Sequence, residues 1–217
     1  MTEPYYQDDH VTLYHGDSLD ILPTLQYDAM VTDPPYGIAW KRSAYNGAQP
    51  HDGIANDDTT DARDAALRLC GNRPAIVFGS VYCAPPANAR HVAVWHKPPD
   101  SGVIGAQIGL RRDIEAVYFL GKFDNRPVHR SSVFRSTLTA TGPHTQRFGH
   151  PHAKPVDLMR SLLEFLPDDF VIVDPFAGSG STLQAAKDLG RQAIGIELEK
   201  QYCKTIAGRL AQEVLPL

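Results

Sequence analysis

Phe170-Val-Ile-Val-Asp174-Pro-Phe176-Ala177-Gly178-Ser179-Gly180-Ser-Thr182 is the stretch on which the fold turns. Four apolar residues read as a buried strand, an acid ends it, and two glycines lead into a helix over Thr182–Leu189. A helix that starts this way offers unpaired backbone N–H groups and a partial positive charge, a cradle for carboxylate or phosphate. The next apolar strand, Gln192–Ile196, is followed by Glu197, 19 residues after Gly178, where an acid can hydrogen-bond ribose hydroxyls. Together these features imply a nucleoside-containing cofactor at the carboxyl edge of a sheet. A dinucleotide is disfavoured, because Leu183 stands where G-x-G-x-x-G needs its third small residue.

Outward from this stretch the alternation continues. Apolar strands are expected at His10–His15, Asp28–Thr32, Ala75–Phe78, His91–Trp95 and Ile114–Leu120. Helices are expected at Ser18–Leu25, Thr59–Leu69, Lys154–Leu166 and Glu199–Val214. Strands alternating with helices, several of them apolar throughout, predict a doubly wound, mainly parallel α/β sheet covered on both faces. The chain reads as a single domain over 1–217, with a mobile loop at 38–58 and a small insert at 121–150 that lacks any apolar period.

A second polar motif, Asp33-Pro34-Pro35-Tyr36, follows the Asp28–Thr32 strand. Its prolines hold the chain extended, so a carboxylate, a free carbonyl and an aromatic ring are presented together. An exocyclic amine on a nucleobase is a poor nucleophile, because its lone pair is delocalised into the ring. Asp33 and the Pro34 carbonyl could accept its N–H bonds and localise that lone pair, while Tyr36 stacks on the base. A nearby sulfonium would then deliver its methyl group by in-line displacement.

These two motifs resemble the catalytic and cofactor motifs of the S-adenosylmethionine-dependent DNA amino-methyltransferases, which act on adenine N6 or cytosine N4. Their order, catalytic motif first and cofactor motif last, is similar to the circularly permuted β-class, whose fold is a Rossmann-like class I methyltransferase. His150-Pro-His-Ala-Lys154-Pro155, Val11–Ser18 and the strands at 95–98 and 115–121 also resemble that family. The resemblance implies that S-adenosyl-L-methionine is the cofactor and that Gly178, Ser179 and Gly180 shape its methionine turn. Asp174, Phe176 and Ala177 would line the pocket, Glu197 would take the ribose, and Lys154 and Pro155 would border the cofactor. Asp17 would lie near the adenine ring, although capping the following helix suits it nearly as well. Asp33 to Tyr36 would hold the target amine, with Asp33 also facing the cofactor. In that family Asp at the first motif position points to adenine N6, and Ser to cytosine N4.

Charge locates the DNA surface. The chain carries a formal −4, which argues against coating nucleic acid by global electrostatics. Within 121–150, however, Lys122, Arg126, Arg130, Arg135 and Arg147 stand against Asp124 alone, a local +4 that leaves −8 for the rest. Such a patch suits phosphate contacts to double-stranded DNA. Trp40, Lys41 and Arg42 in the 38–58 loop form a second candidate surface, and the target base should be flipped out of the duplex. An insert this small predicts a short recognition sequence, or a homodimer whose second subunit adds contact. No segment reaches the length of a membrane span, the N-terminus lacks a leader-like pattern, and three scattered cysteines without a C-x-x-C pair suggest a cytoplasmic setting and no cysteine-based metal site. The rival readings are cytosine N4 methylation, methylation of RNA or a protein amide, and a non-catalytic DNA-binding partner.

Overall fold

A computed structural model of the chain describes residues 3–38, 57–98, 108–124, 130–136 and 153–212. Most of the expected 38–58 loop and 121–150 insert lies outside the described residues. The strands are β1 (Tyr6–Gln7), β2 (Val11–His15), β3 (Ala29–Thr32), β4 (Ala75–Gly79), β5 (His91–His96), β6 (Ile114–Leu120), β7 (Val133–Arg135), β8 (Ile172–Asp174) and β9 (Ala193–Glu197). The helices are α1 (Ser18–Ile21, continued by a 3-10 turn), α2 (Asp61–Cys70), α3 (Val156–Leu163), α4 (Ser181–Asp188) and α5 (Lys200–Leu210).

All described strands join one sheet in the order β1-β2-β9-β8-β3-β4-β6-β5-β7. The central run from β2 to β4 is parallel. Its strands are apolar at nearly every position because both faces are covered. On β4, Ile76 and Phe78 pack with Trp95 and with α3, α4 and α5, whereas Ala75 and Val77 pack with Ile21, Ala66 and Cys70 of α1 and α2. Leu158, Leu162 and Leu163 of α3 are fully enclosed, and each such burial stabilises the fold by about 2 kcal/mol.

The expected architecture therefore holds, with mixed flanks. Antiparallel pairing joins β4 to β6 and β6 to β5, a direction that apolar composition does not encode. Two short edge strands were not anticipated, β1 and β7. In β7 only Phe134 is partly buried, against Phe165, and three residues are too few to show a period.

From the sheet's centre the chain winds both ways. β8 leads through α4 to β9 on one side, and β3 leads through α2 to β4 on the other. The neighbouring pair β8–β3 is thus a topological switch point, where the loops after two strands diverge and leave a crevice.

Candidate active site at the switch point

Asp174 and Asp33 end these two neighbouring strands. The Thr32 hydroxyl donates to Asp174 Oδ1 at 2.7 Å, tying together motifs 142 residues apart in the chain. The Phe176 N–H also donates to Asp174 Oδ1, at 3.1 Å. Burial raises the Asp174 carboxyl to about 6, although hydrogen bonds from Thr182, Thr32 and Phe176 oppose the rise.

Glu197 splints the glycine turn. Its Oε2 accepts the Gly178 N–H at 2.8 Å and its Oε1 accepts the Glu199 N–H at 2.7 Å. Burial pushes this carboxyl up to about 7 despite those bonds. Gly180 has φ +74°, and a Cβ there would lie 3.0 Å from Ile206 Cγ2 of α5. The Ser181 hydroxyl donates to the Lys154 carbonyl at 2.7 Å, and Arg209 donates to the Ser179 carbonyl at 2.9 Å. Lys154, buried Pro155, the turn and α5 thus form one unit. Leu183, which spoils the dinucleotide fingerprint, is accommodated by Gly195 on β9: a Cβ there would lie 2.5 Å from Leu183 Cδ1. Close helix–strand packing is kept, with the small residue moved to the strand.

Asp17 is exposed and caps α1, its Oδ1 accepting the Leu19 N–H at 2.8 Å. It stays beside the site, because the Gly16 N–H donates to the Glu197 carbonyl at 3.0 Å. Phe176 is half-buried and packs on the α1–α2 side of the sheet, whereas Ala177 is buried on the side of α3, α4 and α5.

At the catalytic motif, Asp33 Oδ2 binds the Lys154 ammonium and Oδ1 accepts the Tyr36 hydroxyl at 2.7 Å. That hydroxyl also lies 3.1 Å from Glu115 Oε2. Burial, then the Asp33 and Glu115 carboxylates, push the Tyr36 phenol well above its ordinary value, so it remains a donor. Buried Asp57 accepts the Tyr36 and Gly37 N–H groups at 2.7 and 2.9 Å and fixes the turn after the prolines. Sequence reasoning gave no role to Asp57, Glu115 or Lys97. Only strand pairing brings them here, and their spacing from Asp33 carries no signal.

The candidate DNA contacts divide. Arg135 pairs in register with His96 on β5, which faces Ile114 next to Glu115, so Arg135 stands at the catalytic edge. Lys122 lies at the opposite edge, lining a small cavity with Asp28, Pro74 and Pro167, residues that precede β3, β4 and β8. Arg130 pairs with Glu164 and lies 5.5 Å over Phe165, also away from Asp33. Trp40, Lys41, Arg42, Arg126 and Arg147 fall outside the described residues. An unforeseen feature of the catalytic edge is Tyr82, in the loop after β4, with the Arg112 guanidinium 4.9 Å over its ring.

A mainly parallel sheet with a glycine turn at its switch point and a buried acid ending the adjoining strand defines a class I methyltransferase fold. The profile of the N6/N4 DNA methylases, described as DNA methylase, matches residues 88–208, and the chain belongs to that family. It is 25% identical over 267 aligned positions to the type II methyltransferase M.ScaI of Streptomyces caespitosus, covering all of this chain and 86% of that one. The putative methylase YubD of Escherichia coli K12 is 49% identical over 63 residues, 29% of this chain and 28% of its own. Among solved structures, the M1.HpyAVI complex with S-adenosylmethionine superposes with a TM-score of 0.68 at 24% identity, covering 93% of this chain and 100% of that one. The PvuII DNA methyltransferase, named cytosine-N4-specific, gives 0.71 at 18%, covering 99% and 91%.

The protein is therefore an S-adenosylmethionine-dependent DNA methyltransferase acting on DNA amino groups. The residues present suit the cofactor: a glycine turn in the left-handed region with no Cβ at Gly178 or Gly180 to block an approach, and a buried carboxyl, Glu197, ending the next strand. Among the described residues, no helix is long and apolar enough to cross a membrane.

Proposed function

We propose that the chain methylates the exocyclic N6 of adenine at a specific DNA sequence, on a base flipped out of the duplex. The observation that carries this reading is the Asp33 carboxylate at the switch point, one residue beyond the hydroxyl that holds Asp174. When bound, S-adenosylmethionine supplies an electrophilic methyl group. Glu197, with one lone pair on each oxygen beyond those given to Gly178 and Glu199, accepts the ribose hydroxyls; Gly178 to Gly180 hold the methionine part. Asp17, Asp174, Phe176, Ala177, Lys154 and Pro155 complete that pocket. Asp33 and the Pro34 carbonyl accept hydrogen bonds from the two amine N–H groups, and Pro35 keeps the segment extended. Asp33 acts by stabilising the positive charge that develops on nitrogen, so no prior deprotonation is needed.

Adenine is favoured over cytosine by the aspartate that heads the motif. DNA approaches the carboxyl edge, where Arg135 and the Arg112–Tyr82 pair supply charge and a stacking surface. Trp40, Lys41, Arg42, Arg126 and Arg147 are proposed to extend that surface, Lys122 and Arg130 to reach DNA only at its periphery. A homodimer would lengthen the contact, and the three free cysteines fit a cytoplasmic enzyme.

The test is expression in a host without its own DNA methylation, followed by mass spectrometry of nucleosides from its DNA. N6-methyladenine is expected. N4-methylcytosine alone would replace the adenine reading with its cytosine rival.

A further inference from the structure

Around Asp33 two carboxylates and two ammonium groups form one part-buried, neutral cluster. Lys97 belongs to Glu115, at 2.6 Å from Oε1, and lies 5.7 Å over the Trp95 ring. Lys154 is shared: its ammonium contacts Asp33 Oδ2 and sits 3.3 Å from Glu115 Oε2. Phe78, Tyr36 and Trp95 surround that ammonium at 5.0, 5.7 and 6.0 Å from their ring centroids. The ammonium already lies against both carboxylates, so a small shift moves it from one to the other. The Tyr36 hydroxyl is shared in the same way, between Asp33 Oδ1 and Glu115 Oε2.

This arrangement conflicts with the work proposed for Asp33. A carboxylate already paired with an ammonium is a weak partner for an amine nitrogen gaining positive charge. We propose that Glu115 is a positioning residue for methyl transfer: it takes the Lys154 ammonium and the Tyr36 hydroxyl when the target amine engages Asp33. This inference rests on the proposed role of Asp33. Nothing else among the described residues is placed to receive both groups. Burial by itself would raise the Glu115 carboxyl, yet Lys154 and Lys97 hold it well below the usual carboxylate range, so it is an anion whenever the enzyme works. A counter-ion needed only to bury one lysine would be satisfied by Lys97; the second, shared lysine is what Asp33 requires.

The experiment is a double-mutant cycle on the full chain with duplex DNA and S-adenosylmethionine, reading kcat, KM for DNA and calorimetric cofactor affinity. Glu115→Gln leaves Lys154 on Asp33, and kcat should fall roughly ten- to a hundredfold. Cofactor Kd and DNA KM should stay within about threefold of wild type, since binding is not what is lost. Lys154→Met added to Glu115→Gln keeps the cluster neutral and removes the competing ammonium, so the double variant should be faster than Glu115→Gln alone. Should Glu115→Gln fold poorly, Glu115→Ala takes its place in both arms, since it also removes the charge and leaves the double variant neutral. A folded Glu115→Gln with wild-type kcat, or a double variant no faster than its Glu115 parent, overturns the positioning role. Wild-type protein that methylates neither base would overturn the proposed function as well, whereas N4-methylcytosine as sole product would overturn only the adenine reading.

Discussion

Burial holds the Glu197 carboxyl at about 7 and the Asp174 carboxyl at about 6, both above their ordinary values. Each group therefore binds protons more tightly folded than unfolded. Stability from this source is complete only below the ordinary value of 3.8 for Asp174, and is lost progressively as pH rises through 6 and then 7. The ligand-free protein should accordingly melt at a lower temperature at pH 8 than at pH 5.5, and Glu197→Gln should flatten that dependence in thermal scans. Cofactor binding runs the other way: ribose hydroxyls donate to the carboxylate form, so affinity should rise between pH 6 and 8. Calorimetry at several pH values checks this, and Glu197→Gln should bind weakly with little pH dependence. Asp33, Asp174 and Glu197 were legible in the sequence because an acid at the end of an apolar strand is unusual and chemically pointed. Glu115, Lys97 and Asp57 were not, because their roles exist only once distant strands pair.

Between elements, two close approaches set the tolerance of the cofactor half. Gly180 combines φ +74° with Ile206 at 3.0 Å, and Gly195 receives Leu183 at 2.5 Å. Gly195→Ala should cost about 1–3 kcal/mol in urea unfolding, because the leucine must leave its slot. Gly178→Val should remove cofactor binding in calorimetry while leaving unfolding cooperative. The central strands were readable from uninterrupted apolar runs, and helix starts from their polar punctuation. Strand direction in β5 and β6, and the existence of β1 and β7, were not: antiparallel pairing leaves no local pattern, and an edge strand of two or three residues has no period. Leu183 shows a related limit. The residue broke the fingerprint as a string, but the close packing that a small residue would give there is restored by Gly195 on β9.

For the molecule as a whole, the formal −4 hides an uneven distribution, and the fold divides the basic insert further. Arg135 and Arg112 stand at the catalytic edge, Lys122 and Arg130 at the other. Arg112→Ala should raise the KM for DNA by about threefold or more and reduce the salt dependence of binding by about one ion. Arg130→Ala, at the periphery and paired with Glu164, should change both by less than Arg112→Ala does, which steady-state assays at several salt concentrations will show. The central claim, that the switch-point carboxylate of Asp33 is the group acting on the target amine, is tested most directly by single-turnover methyl transfer from labelled S-adenosylmethionine to duplex DNA, comparing wild type with Asp33→Ala at matched cofactor occupancy. The account predicts that Asp33→Ala binds cofactor as wild type does and forms no methylated adenine. A variant that fills with cofactor and still methylates at more than about a tenth of the wild-type rate would contradict it.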